Sequence, residues 1–332
     1  MRRFLRENRA IFVLLSVTLA LYLILLAFND PRREPRRPAF STAELQKKEA
    51  TARQELQARP VVQSSLAFGF LGLLLAGFVA DVRYLRRPKR VSAFQSDVRW
   101  GFREVIETTV FMFFSEAILV LFESLWIRYF ELIPDHDFLL MMNSFLRDLL
   151  VVAYILRMMQ IRFGLSFKHV GLSLARFGEC VRRGLSGYVA VIPPLFFSVA
   201  VLSYVIKMFS YEPPPQNVVE IFLKPSADQH LVFFTFFVAA LGPMVEEIFF
   251  RGFAYPAFRK KWGPLWGAVI MSAIFAAFHF NAVAFLPIFV LSLFLTYLYE
   301  TTGTLVAPIT AHVAHNLIMV SMTLGFKSLA GF

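Results

Sequence analysis

Nine apolar runs recur along this chain, each close to the ~20 residues that an α-helix needs to cross a bilayer. They cover approximately 11–28, 62–80, 105–127, 138–156, 184–206, 231–251, 264–280, 283–299 and 305–325. Lipid offers no partner to an open backbone, so each run must close its hydrogen bonds within itself as a helix. The expectation is an all-α, polytopic transmembrane helical bundle of eight to nine spans. Composition agrees: 57% of residues are hydrophobic, 39 are Phe and only 17% are charged. That balance excludes a soluble globular enzyme and an intrinsically disordered chain. The single Cys180 excludes an intramolecular disulfide and a Cys-rich metal site.

A net charge of +11 would suggest nucleic acid in a soluble protein. Here the basic residues lie between apolar runs. Topology and the anionic headgroups of membrane lipids account for them, and no nucleic-acid partner is expected. They concentrate in loop 81–103 (Arg83, Arg86, Arg87, Lys89, Arg90, Arg99, Arg103), in loop 157–183 (Arg157, Arg162, Lys168, Arg176, Arg182, Arg183) and after the sixth span (Arg259, Lys260, Lys261). Nine spans put these loops on one side. Read as the cytoplasmic side of a bacterial plasma membrane, this makes an integral membrane protein with its N-terminus inside. Arg32, Arg33, Arg36 and Arg37 would then lie outside, against the trend.

The first run reads as a retained anchor rather than a signal peptide, because it is long and Asn29-Asp30-Pro31 is no small-residue cleavage site. Segment 30–38 reads as extended, and 41–59 as an exposed helix serving as a solvated spacer. Residues 1–61 are thus an anchor plus basic linker, 62–156 the N-terminal transmembrane helices, and 157–332 the core that carries the site. Pro193-Pro194 predicts a kink in the fifth span.

An ionisable group at mid-bilayer costs at least ~2.5–3.5 kcal/mol, so it needs a partner or a purpose. Three places near the C-terminus hold such groups. In Glu246-Glu247-Ile248-Phe249-Phe250-Arg251, Glu247 and Arg251 share a helix face in the order that favours an ion pair. Glu246 points about 100° away and has no local partner, which suits a general base for water. Phe275 and His279 share a second face. His312 and Asn316 share a third, where a His and a carboxamide can donate to an oxyanion or, with a metal, serve as ligand and outer partner.

At these residues the chain resembles the CPBP family of intramembrane proteases, which includes type II CAAX prenyl-proteases and Abi-like bacteriocin-processing enzymes. Glu246-Glu247 with Arg251, Phe275 with His279, and His312 with Asn316 follow the family's EExxxR, FxxxH and HxxxN pattern in order. The turn Tyr299-Glu300-Thr301-Thr302-Gly303-Thr304-Leu305 is also similar. The resemblance implies an intramembrane endopeptidase acting through glutamate-activated water. Glu246 would be the base, His279 would hold the water, His312 and Asn316 would stabilise the oxyanion, and Glu247, Arg251 and Phe275 would support them. No cofactor is expected with assurance. Zn²⁺, if present, would use Glu246, Glu247, His279 and His312. The partner would be a hydrophobic, lipidated or membrane-embedded peptide.

The alternative is a non-catalytic scaffold, immunity or regulatory member of that family. Two other readings rest on less. Gly184-Leu185-Ser186-Gly187 matches the short GxSG of rhomboid serine proteases, although small residues there also suit helix packing. Glu123, Arg147 and Asp148 could line a transport path. One distance opposes convergence of the main site. If the sixth span ends at Arg251 and the seventh starts at Pro264, His279 lies roughly 22 Å from the inner surface, and Glu246 only about 8 Å.

Overall fold

The computed structural model describes residues 9–27, 40–86, 98–130, 135–174, 176–209, 217–224 and 227–331. The extended segment 30–38, with Arg32, Arg33, Arg36 and Arg37, lies outside them, as do Arg87, Lys89 and Arg90. Every regular element among the described residues is helical. Seven helical runs are long and apolar enough to cross a membrane, and Ala10–Leu25 is a shorter apolar helix. The chain is an integral membrane protein built as a polytopic helical bundle.

One of the seven runs, Gln229–Ala277, is 49 residues long, more than twice the ~20 that one crossing needs. It contains two of the predicted spans and doubles back at Gly263. That residue leaves the helical region at φ 77°, ψ 172°, where a side chain would be strained, and Pro264 opens the returning arm. The arms run antiparallel. The Phe250 and Phe275 rings meet edge to face at 4.8 Å, and a Cβ on Gly267 would lie 2.9 Å from Arg259 Cα. Counting both arms, and Ala10–Leu25 as well, recovers the nine apolar helices of the sequence.

Contacts divide the chain into two compact units. One holds the described residues of Met1–Arg37 and Asp97–His169, the other those of Pro38–Ser96 and Val170–Phe332. In the first unit, Arg9–Ala27 and His136–Phe163 pack on Phe102–Phe130. Asp135 caps the start of His136–Phe163 by accepting from the Asp137 and Phe138 N–H groups, and Gly164 ends it. Polar pairs bridge two of these helices. Glu107 accepts from Tyr154 and Arg162, Arg147 pairs with Glu116 and Asp148, and Glu123 accepts from Asn143 at 2.6 Å. The residues considered as a transport path are therefore engaged in local polar contacts.

In the second unit, Phe177–Met208 packs against Pro60–Arg86, Phe285–Thr302 and Val306–Ala330. Cys180, Val191, Leu291, Leu295 and Ala311 form its apolar core. Pro193 and Pro194 both lie inside this one helix. Gly77 sits against the carbonyl of Val189, the acceptor that Pro193 cannot serve. Gly184 packs on the backbone of Ala307 and Gly187 on Phe294, so the small residues of the GxSG stretch serve helix packing.

Segment 41–59 forms the expected helix, Thr42–Gln57, opened by a Ser41/Glu44 capping box. It is more than a solvated spacer. It packs on Val306–Ala330, Ala52 is buried, and Lys48 Nζ donates to Gly331 O at the end of that helix. A cation there offsets the negative end of the helix dipole.

Candidate active site

The two glutamates lie on a six-residue α-helix, Gly242–Glu247, between two π-helical segments, Phe237–Leu241 and Ile248–Ala254. Prolines account for this alternation. Gly242 N–H bonds Phe237 O, five residues back, instead of its α-helical partner Val238 O. In the wider register Val238 O would turn to residue 243, which is a proline without an N–H. The orphaned carbonyl is filled from elsewhere: Asn316 Nδ2 donates to Val238 O at 2.8 Å. The second segment repeats the pattern, with Tyr255 N–H on Phe250 O and Pro256 next in sequence.

Asn316 therefore satisfies the π segment that leads into the glutamate-bearing helix. Asn316→Leu should lower stability by about 1 kcal/mol, the lower end of the cost of an unsatisfied acceptor, because the contact is part-buried. Thermal unfolding in detergent measures it. Pro243→Ala restores an N–H at the right place, so adding it to Asn316→Leu should recover part of the loss.

The carboxylates face different surroundings, as their 100° separation dictates. Glu247 is fully buried, and its Oε1 accepts from Arg251 Nη1 at 2.7 Å and from His312 Nδ1 at 2.9 Å. A carboxylate held by Arg only accepts, so His312 Nδ1 carries the proton and a neutral ring turns its Nε2 lone pair outward. That Nε2 stands 3.8 Å from Glu246 Oε2. Glu246 keeps 35% of its side chain exposed. The same logic applies to His279. Its Nδ1 lies 2.9 Å from the Phe275 carbonyl, which can only accept, so Nε2 again faces away.

Phe275 is the hub. Its ring lies 4.9 Å from the His279 ring and 6.0 Å from the His312 ring. The Arg251 guanidinium stacks 4.4 Å over its face, a cation–π contact in a desolvated place. Arg251 is fully buried, and its Nη2 donates to Ser292 Oγ at 2.7 Å. Gly252 lets this segment approach the Val170 carbonyl, where a Cβ would come within 2.5 Å. Gly252→Ala should destabilise by about 1–3 kcal/mol through overpacking, read as a lower melting temperature.

The depth conflict disappears because the sixth helix does not stop at Arg251. Arg251 satisfies its charge inside the protein, so it marks no membrane edge. Arg259, Lys260 and Lys261 are helical, not a loop, and the chain turns only at Gly263. Glu246 and His279 each lie about 25 Å of helix from that turn. His312 is level with the glutamates because it touches them. Its Nδ1 lies 2.9 Å from Glu247 Oε1 and its Nε2 3.8 Å from Glu246 Oε2.

Six of the seven expected site residues thus meet around Phe275, and Asn316 sits one turn beyond His312. Pro243 and Ser292 were not singled out for these contacts. Among the described residues, no group of three or more His, Cys, Asp or Glu is arranged to hold a metal ion. Of the candidate zinc ligands, Glu247 spends Oε1 on Arg251 and His312, and its Oε2 is buried without a hydrogen-bond partner.

These features define an all-helical membrane protein with a carboxylate–imidazole site inside the bundle. Residues 228–318, which carry all three motifs, match the family described as type II CAAX prenyl endopeptidase Rce1-like. The match is consistent with the CPBP resemblance. No curated protein and no solved structure matches the chain.

Proposed function

We propose that the protein is an intramembrane endopeptidase in which Glu246 activates water for attack on a peptide carbonyl. The observation that carries this reading is the contrast between the two glutamates. Glu247 is buried and spent on Arg251 and His312, while the half-open Glu246 lies 3.8 Å from His312 Nε2. A carboxylate free of strong donors, beside an oriented imidazole, suits proton abstraction. The Rce1-like match supports the same class of reaction.

In this mechanism Glu246 takes a proton from water as the oxygen bonds the carbonyl carbon. His279 Nε2 helps to hold the water. The carbonyl π bond opens to an oxyanion, stabilised by His312, when protonated at Nε2, and by the remaining Asn316 N–H. Collapse re-forms the carbonyl and breaks the C–N bond, and Glu246 returns its proton to the leaving amine.

The substrate is a hydrophobic, lipidated or membrane-embedded peptide. An open apolar groove on the helix surface, lined by residues that include Leu231, Phe236, Ala239, Leu317 and Leu324, supports this. Leu317 directly follows Asn316, and Ala239 follows Val238. The Lys/Arg distribution favours an N-terminus on the cytoplasmic side of the membrane.

The purified protein should cleave quenched hydrophobic peptides or a prenylated reporter, at a rate unchanged by a serine-directed fluorophosphonate. Inactivation by that reagent contradicts the mechanism. A folded protein that cleaves none of them favours the non-catalytic reading.

A further inference from the structure

We propose that Ser292 is a positioning residue, which fixes the rotation of Arg251 and through it the Glu247–His312 pair. This rests on the hydrolytic reading of Glu246 and His312. Ser292 lies on Phe285–Thr302, a helix that contributes none of the motif residues, and it is 1% exposed. In an apolar membrane helix a buried hydroxyl needs a reason.

The reason lies in how a guanidinium is held. Stacking over Phe275 sets the plane of the Arg251 group but not its rotation within that plane. Only in-plane hydrogen bonds set the rotation. Nη1 uses one on Glu247 Oε1, and Nε has no partner. The second anchor is Nη2, which donates to Ser292 Oγ at 2.7 Å and to Ser292 O at 3.2 Å. The carbonyl is the weaker of these two acceptors, because it also takes the Thr296 hydroxyl at 2.9 Å. Ser292 Oγ is therefore the contact that stops the fork from turning.

The consequence passes along a short chain. Glu247 Oε1 receives both Arg251 Nη1 and His312 Nδ1. A turned guanidinium pulls that oxygen off line, loosens the imidazole, and shifts Nε2 relative to Glu246. The serine touches no reacting atom and acts at a distance of three side chains.

The test combines ¹⁵N-histidine NMR with kinetics on the full-length protein in detergent. The chain has only 6 His, and His312→Gln assigns the signal. Wild type should show a downfield His312 Nδ1–H resonance from its bond to a carboxylate. Ser292→Ala should move it upfield, and Ser292→Thr, which keeps the hydroxyl, should leave it in place. On the quenched-peptide reporter, Ser292→Ala should lower kcat by roughly ten- to a hundredfold at unchanged KM, the worth of one hydrogen bond to a charged group. A purely packing role would lower the melting temperature and leave both the resonance and kcat per folded molecule unchanged. That result overturns the inference. A resonance that moves while wild type cleaves no reporter supports the positioning contact and overturns the hydrolytic reading alone.

Discussion

Arg251→Met should be the most destabilising single change in the site, costing about 3–5 kcal/mol. Glu247 and Arg251 are both 0% exposed, so removing the cation leaves a carboxylate stranded in a dry interior. The Phe275 stacking contact and the Ser292 hydrogen bond are lost with it. The pair itself is not expected to stabilise the fold relative to an apolar core, because desolvating two ions offsets most of their attraction. Combining Arg251→Met with Glu247→Leu should therefore recover much of the lost stability in a thermal melt. It should not recover hydrolysis, since His312 then lacks its Nδ1 acceptor. A double variant as unstable as Arg251→Met alone would show that the pair is a net source of stability.

Glu246→Gln should lower kcat by about 10²–10⁴, the usual worth of general acid–base assistance, and His312→Gln by about 10²–10³, the usual worth of an oxyanion donor. The expected fold cost differs. Glu246 is part exposed and has one distant partner, so Glu246→Gln should melt like wild type. His312 is buried and donates to Glu247, so His312→Gln should melt earlier. Because the two side chains serve one step, the attack of water that creates the oxyanion, the double variant should be scarcely worse than the poorer single one. Multiplicative losses would place them on separate steps.

Much of the architecture is legible in residue order, because lipid leaves the backbone few options. Each of the nine apolar runs is helical among the described residues, and the spacing of Glu247 and Arg251 means an ion pair. The depth conflict has one physical cause: a charged residue in an apolar run reads as a membrane edge. Arg251 is instead neutralised by Glu247 and stacked on Phe275, so the helix passes through it to Gly263. The π segments leave no periodic trace, since one extra residue per turn hardly disturbs an apolar run. Pro243 and Pro256 are their signal, read as missing N–H groups rather than as breaks. Ser292 could not be found this way, because a serine in a membrane helix looks ordinary until the arginine it receives is known. The docking of Thr42–Gln57 was also hidden. Its stripe of Leu45, Lys48, Ala52 and Leu56 is too weakly apolar to announce a partner.

The most direct test is a comparison of Glu246→Gln and Ser186→Ala in the same peptide-cleavage assay, with melting curves showing both folded. Ser186 is exposed and donates to Arg183 O, on a helix surface whose glycines serve packing. The account predicts that Glu246→Gln is inactive and Ser186→Ala retains the wild-type rate. A folded Glu246→Gln protein that cleaves at the wild-type rate, with Ser186→Ala inactive, would contradict it.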